Sequence, residues 1–317
     1  MKKSGITECH STTGSRGLAL RGGSLGDLLL TLPALRRIRR ELPGLSLTLA
    51  TRSSCAELLV DDGAADRWLS LERSDLAGLF SSHPWEGGLL PYDRAWSWMR
   101  DPDGHVVRNL KKAGLSQVAV RDPSTTVCHQ ADHLEQIVGA VDLDDPVRRL
   151  PLRLSAATQQ AGTVRMPRRC RPLVVIHPGS GSAIKNWPVD RFIRIAEWVD
   201  GAGYTPVFTI GEADAVVRYE LERRNNRYPL LEGLSIREMA GLLSRAALYL
   251  GNDSGISHLA AVIGIRTFVV FGPTDPDVWA PVGQAVTVIR PDRLNAQALR
   301  SITAEQVWQI MRPFGAG

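Results

Sequence analysis

The chain has 317 residues, of which 44% are apolar and 22% charged, and it carries a formal net charge of +5. That length suits two domains, each able to bury its own core, and the composition is that of an ordinary globular protein. Cys9, Cys55, Cys128 and Cys170 lie far apart with no CxxC pair, which argues against a zinc site or a disulfide framework and for free thiols in a reducing cytoplasm.

Residues 1–16 read as a polar leader, because the two lysines near the start precede no apolar stretch and so do not make a signal peptide. Nowhere do about 18 apolar residues run together without a charge, so no membrane span is expected. A strand over GLALRG opens the N-terminal half, residues 1–155, and a helix is expected from about Asp27 to Leu42. Leu28, Leu32, Leu35 and Leu42 share one face of it, while Pro33 must bend the helix or start a fresh turn. The strand LSLTLA follows, then shorter units to about Leu154.

Residues 156–171 have little apolar periodicity and read as an interdomain linker. From residue 172 onward β-rich runs alternate with amphipathic stretches. The strand LVVIH leads to a helix from Asp190 to Asp200, in which Phe192, Ile195, Ala196 and Val199 form one buried stripe. After TPVFTIG comes a helix opening with the capping-box pair Ser235 and Glu238. The strand ALYLG, a helix from Ile256 to Ile263, the strands TFVVFG and AVTVI, and a helix opening with Thr303 and Gln306 and ending near Met311 complete the chain. Strands separated by helices imply parallel crossovers, hence an α/β protein with doubly wound sheets.

In such sheets ligands sit beyond the carboxyl ends of the strands, where loops enter helix N-termini. After LVVIH the loop PGSGSAIKNWP combines Gly179 and Gly181 with Ser180, Ser182 and Lys185. Glycines admit a phosphate to the backbone N–H groups, serines donate and lysine supplies charge, which is what a diphosphate needs. Glu212, at the end of TPVFTIG, suits either the two hydroxyls of a ribose or the N-terminus of the next helix. In GNDSGISH, Asn252 and Asp253 end a strand, Ser254 and Gly255 would present N–H groups at the helix start, and His258 lies within the first turn. Asp253 there can be an N-cap or a ligand contact. Asp27 follows the glycines of RGGSLGD, and it suits either a helix cap or a general base facing the other domain.

Two arginine clusters, Arg36, Arg37, Arg39 and Arg40, then Arg165, Arg168, Arg169 and Arg171, read either as solvated faces or as attraction to an anionic lipid surface or a phosphorylated acceptor. No nucleic-acid motif appears, and no nucleic-acid partner is expected. His83, Trp85, Tyr92, Trp96, Trp98 and His105 can be core or can line a carbohydrate site by stacking.

Taken in order, GDLLLTLP, HPGSGSAIKNWP, the glutamate of GEAD, and GNDSGISHLAA followed by FGPTDP resemble the motifs of the heptosyltransferases, glycosyltransferase family 9, which build the lipopolysaccharide core. The resemblance covers the chain after the leader. It implies a GT-B architecture of two Rossmann-like domains facing a cleft, with the acceptor side in 1–155 and the donor side in 172–317. It also implies a C-terminal helix packed back onto the first domain, and inverting transfer from a nucleoside diphosphate sugar, ADP-heptose above others, with no cofactor and no tightly bound metal. Carried over by motif, Asp27 is the catalytic base and Lys185 neutralises the departing nucleotide. Ser180 and Ser182 belong to the diphosphate segment, Glu212 meets the ribose and Asp253 the donor sugar, and Ser254 and Gly255 offer N–H groups beside His258. Leu30 stands where many members carry a histidine. The implied partner is an anionic, lipid-linked saccharide acceptor, met in peripheral contact with the cytoplasmic face of the inner membrane. Three alternatives remain: a nucleotide-sugar epimerase using the same donor loops on this scaffold, a transferase of another sugar nucleotide, and a non-catalytic partner of a cell-envelope machine that keeps the fold and docks through its arginines.

Overall fold

The computed structural model describes residues 14–53, 55–83, 91–163, 166 and 171–311. Cys9, Trp85, Arg165, Arg168, Arg169 and Cys170 lie outside the described residues, whereas Cys55 and Cys128 are free thiols. The strands are β1 (Arg16–Arg21), β2 (Ser46–Thr51), β3 (Arg67–Ser70), β4 (Arg94–Trp98) and β5 (Gln117–Val120), then β6 (Leu173–His177), β7 (Thr205–Ile210), β8 (Leu230–Glu232), β9 (Ala246–Asn252), β10 (Arg266–Val270) and β11 (Val286–Ile289). They form one sheet ordered β3-β2-β1-β4-β5 and a second ordered β11-β10-β9-β6-β7-β8. Neighbours pair in parallel, for example β1 with β2 and β4, and β6 with β7 and β9. In each sheet the strand order reverses beside its first strand, so a crevice opens beyond β1 and another beyond β6 and β9.

Alternation along the strands sorts side chains between layers. Leu18 and Leu20 of β1 join one core with Leu76, Leu79 and Val106 on the far face of the first sheet. Val174 and Ile176 of β6 join another with Phe192, Phe208 and Phe268 on the far face of the second. Ala19 and Val175, from the opposite faces of the same two strands, belong to a third cluster that runs without a break from Leu28, Leu32 and Leu35 to Met239, Leu242 and Leu259. A shared apolar layer therefore lies between the sheets.

Pro33 starts a fresh helix, as one of the two sequence options requires: Leu25–Leu29 ends, and Leu32–Glu41 begins with Pro33 in its first turn. Three expectations need correction. The presumed linker carries a helix, Ala156–Ala161, whose N-cap Ser155 accepts from the Thr158 N–H at 3.3 Å. It packs on the Ile236–Leu243 helix so closely that a Cβ on Gly162 would stand 2.0 Å from the Gly241 carbonyl carbon. The C-terminal helix Ala304–Met311 packs on Val189–Gly201 of its own half, burying Val307 and Met311 and setting Trp308 against Trp198 with ring centroids 5.8 Å apart. The resemblance had implied packing on the first domain.

The first arginine cluster is engaged by carboxylates rather than a free basic patch, although Arg40 stays exposed. Arg36 is buried, with Nε and Nη2 at 3.2 and 3.1 Å from Asp62 and Nη1 donating to the Leu150 carbonyl at 2.6 Å. Arg37 meets Glu41 at 2.6 Å and the Ala140 carbonyl at 2.7 Å, Arg39 meets Asp66 at 2.7 Å, and Arg40 pairs with Asp145. These guanidiniums tie the return of the chain to the first long helix. Arg171 is likewise paired, with Asp200 at 3.1 Å. Trp98 is fully buried and Tyr92 and Trp96 nearly so, so these three rings are core rather than a stacking surface. Among the described residues no helix is long and apolar enough to cross a membrane.

The two halves touch where the helices Leu25–Leu29 and Gly255–Ile263 begin. A Cβ on Gly255 would stand 2.9 Å from Leu25 Cβ, and one on Gly26 would stand 3.1 Å from His258 Cδ2. Overpacking of this kind costs about 1–3 kcal/mol. Gly255→Ala is expected to lower the urea midpoint accordingly, whereas Gly201→Ala, with nothing within 4 Å of the added methyl, should leave it nearly unchanged. Equal midpoints for both variants would show that the contact is slack.

Candidate active site

A cleft of about 720 Å³ lies between the two crevices. Its floor and near wall come from Ser24, Leu25, Gly26, Asp27 and Leu30, and its far wall from loops following β6, β7, β9 and β10. Of the residues singled out in the sequence, Asp27, Ser180, Lys185, Glu212, Asp253, Ser254, Gly255 and His258 all line it. Ser182 does not. Its carbonyl and N–H lie 2.7 and 3.2 Å from the Ser180 hydroxyl, which is also 2.7 Å from Asn186 Oδ1. The Ser180 hydroxyl and the Ser182 backbone therefore shape the loop.

Asp27 closes the helix start, as the first of its two readings has it, and also lines the cleft. Its Oδ2 accepts from the Ser24 N–H and hydroxyl, each at 2.8 Å, which closes the helix start. Its Oδ1 faces Arg21 Nη2 at 3.3 Å, and the side chain remains 28% exposed to the cleft. Gly23, at φ +98, makes the turn in front of it, where a Cβ would lie 2.7 Å from Oδ2. Arg21 was not singled out from the sequence, although a charge ending an apolar strand was a signal. Its guanidinium is buried and also meets Thr31 Oγ1 at 3.1 Å and the Trp98 carbonyl at 3.4 Å. Burial lowers its pKa, with Asp27 pulling the other way.

On the far wall Lys185 Nζ lies 2.8 Å from Asp253 Oδ2. The helix cap is Ser254, not Asp253: Ser254 is the residue before the helix and its hydroxyl accepts from the Ser257 N–H. Asn252, fully buried, holds both ends of the lysine loop. Its Nδ2 donates to the Pro178 carbonyl at 2.7 Å and its Oδ1 accepts from the Trp187 N–H at 3.0 Å. Only an amide supplies a donor and an acceptor in that shape. Asp214, also overlooked, is buried at the end of the turn that Glu212 opens, where it accepts from the Gly211 N–H at 2.8 Å. A Cβ on Gly179 would stand 2.1 Å from its carboxylate, so that glycine is required by close approach. His177 Nε2 lies 3.8 Å from Asp214, and its Nδ1 lies 3.1 Å from Thr209 Oγ1.

A further tie crosses from the first half. His129 caps the helix Gln130–Glu135 by accepting the Ala131 N–H at Nδ1, and its Nε2 lies 3.0 Å from the Ala280 carbonyl, next to the cleft residue Trp279. The neutral Nε2–H tautomer satisfies both contacts, and burial lowers the pKa of this ring. Leu234, Ile236, Met239, Ile256 and Trp279 give the cleft an apolar stretch. Among the described residues no group of three or more His, Cys, Asp or Glu side chains is placed to hold a metal ion.

Burial pushes His258 down to about 4, against the opposing pull of Asp253 and Asp27, and burial lowers His177 as well. Both rings are neutral at pH 7, so the cleft's acids are not balanced by histidines. An unfolded histidine titrates near 6.5, so as pH falls below that value the unfolded chain binds a proton that the folded chain refuses. Stability is then full above about 6.5 and lost toward 4, by on the order of 2 kcal/mol between pH 7 and pH 5 for His258 alone. Urea midpoints should fall over that interval, and His258→Gln should flatten the fall. An unchanged slope in the variant would mean that His258 is not held neutral.

Comparison with known proteins gives a consistent result. The family model for glycosyltransferase family 9 (heptosyltransferase) matches residues 106–308. Lipooligosaccharide heptosyltransferase 2 of Haemophilus influenzae is 28% identical over 128 residues, which span 38% of this chain and only 37% of that protein. Lipopolysaccharide heptosyltransferase 1 of Pseudomonas aeruginosa is 23% identical over 92% of this chain and 88% of its own length. Among solved structures, the E. coli ADP-heptose lipopolysaccharide heptosyltransferase II superposes with a TM-score of 0.76 at 18% identity, covering 94% of this chain and 98% of that one. At that identity the superposition speaks for the fold, a GT-B pair of doubly wound domains.

Proposed function

Since this chain belongs to glycosyltransferase family 9, the heptosyltransferases, we propose that it is an inverting transferase moving heptose from ADP-heptose onto a lipopolysaccharide core acceptor. The observation that carries this reading is the single cleft that sets Asp27 of one half opposite Lys185, Glu212, Asp253 and the start of the Gly255–Ile263 helix of the other. Membership in a transferase family favours this chemistry over epimerisation on the same scaffold.

The donor's diphosphate lies against Lys185 and the Ser254–Gly255 helix start, where backbone N–H groups and the helix dipole favour an anion. Glu212 accepts the ribose hydroxyls, the apolar stretch with Met239 and Trp279 takes the base, and Asp253 meets the sugar. Asp27 removes the proton from the acceptor hydroxyl, whose oxygen attacks the anomeric carbon from the face opposite the diphosphate. The bond from that carbon to the phosphate oxygen breaks with its electron pair on the oxygen, and Lys185 stabilises the charge that develops there. One base in line suffices for inversion, and the reading requires no cofactor.

The acceptor of such a transfer is an anionic, lipid-linked saccharide, presented at the cytoplasmic face of the inner membrane. With Arg36, Arg37, Arg39 and Arg40 each paired with a carboxylate of the chain, the charge for peripheral contact is assigned to the second cluster, Arg165, Arg168 and Arg169. Replacing those three with serine should abolish co-sedimentation with anionic vesicles at low salt. Undiminished binding would place the contact elsewhere.

Asp27→Asn is expected to lower turnover by at least about 100-fold while leaving the calorimetric affinity for ADP within about twofold, because its role begins only with the acceptor. Full turnover in the variant would remove Asp27 as the base. In the same assay ADP should bind more tightly than UDP or GDP, with the preference weakened by Lys185→Ala. Preference for another nucleotide would keep the transferase and replace the donor.

A further inference from the structure

The cleft's charges do not match its proposed ligand at first sight. Asp27, Glu212, Asp214 and Asp253 line it, Lys185 is the cationic side chain among the lining residues, and His177 and His258 are neutral. That lysine is already taken: Nζ lies 2.8 Å from Asp253 Oδ2, with the side chains 32% and 8% exposed. Asp253 is held in place from behind. Its N–H donates to the Val270 carbonyl at 3.2 Å, and its neighbour Asn252 fastens both ends of the loop that carries Lys185. The ion pair thus joins two anchored elements, and a diphosphate that takes the lysine competes with Asp253 for it.

We propose that Asp253 is an exchangeable counter-ion of Lys185, which makes the cleft select the sugar-bearing nucleotide over the bare nucleoside diphosphate. This rests on the reading of the cleft as a nucleotide-sugar site and adds to it a means of rejecting the product. When a diphosphate takes Lys185, Asp253 loses its cation while nearly buried, and an unpaired buried carboxylate is costly. The hydroxyls of a donor sugar offset that cost by donating to Asp253. A bare diphosphate brings no such donors and binds against the full cost.

Transfer itself produces the bare diphosphate. As the acceptor oxygen bonds to the anomeric carbon and the carbon–oxygen bond to phosphate breaks, with the electron pair on phosphate and the acceptor proton on the base, the sugar passes to the acceptor. Asp253 loses its donors in the same event, and its return to Lys185 drives the nucleotide out. The pair acts before and after the chemical step rather than during it.

The test is a calorimetric double-mutant cycle with ADP as the probe, using the full chain, Asp253→Asn, Lys185→Ala and the double variant. The charge-free variant Asp253→Asn is expected to bind ADP about tenfold more tightly than the unaltered chain. In the Lys185→Ala background the same change should alter ADP affinity by less than about twofold. Asp253→Ser should shift affinity in the same direction, which guards against a local defect of the asparagine variant. Product inhibition of turnover by ADP should deepen in parallel. Unchanged or weaker ADP binding by both Asp253 variants would overturn the proposal, and so would an equal gain with and without Lys185, because that is general charge repulsion. Absence of ADP binding by every form, the unaltered chain included, would instead remove the nucleotide reading of the cleft and this proposal with it.

Discussion

The approach of two helix beginnings, one from each half, is the constraint on which the rest depends. Leu25–Leu29 and Gly255–Ile263 meet so closely that glycine is required at Gly255, and at Gly26 any side chain presses on the His258 ring. Both helices start at the point where a parallel sheet reverses its strand order, so their contact brings two ligand crevices into one space. Asp27 owes its place to this, since it closes one helix start while facing the other half.

Around that contact the loops are held by buried polar groups that hydrogen-bond to the protein. Asn252 spans the lysine loop, Asp214 fastens the turn behind Glu212 and presses on Gly179, and Arg21 holds Asp27 from beneath. Each is costly to bury alone and is acceptable because its hydrogen bonds are made inside the fold. Preorganisation of this kind leaves the cleft little rearrangement before a charged ligand arrives. The exception is the Lys185–Asp253 pair, whose members also face the opening.

Much of this was legible in the sequence, and the boundary of what was legible has a physical cause. Alternating periodicity and turn residues located the strands of both halves, and Ser235 with Glu238 and Thr303 with Gln306 marked helix starts that the structure contains. Every one of these signals is local. The helix Ala156–Ala161 is short, with a single buried residue, Thr158, and it is stabilised by Gly162 against Gly241, a contact across some eighty residues that no periodicity announces. The arginines of 36–40 read as surface because their partners Asp62, Asp66, Asp145 and the carbonyls near 150 are distant in the chain. In the cleft the charged residues were found from their position after strands, whereas the hold of Asn252 on the backbone of another loop and of Asp214 on its own turn carries no pattern in the sequence.

The apolar layer that runs from Leu28 and Leu35 to Met239 and Leu259 has a consequence for how this protein can be taken apart. A C-terminal half made alone would turn the inner faces of Ile236–Leu243 and Gly255–Ile263 to water, and an N-terminal half would do the same with Leu32–Glu41. Chimeras that exchange halves between relatives must therefore be chosen by the fit of this layer, side chain against side chain, before any question of substrate arises. Specificity on either side of the cleft can diverge only as fast as the buried surface beneath it allows the two halves to remain partners.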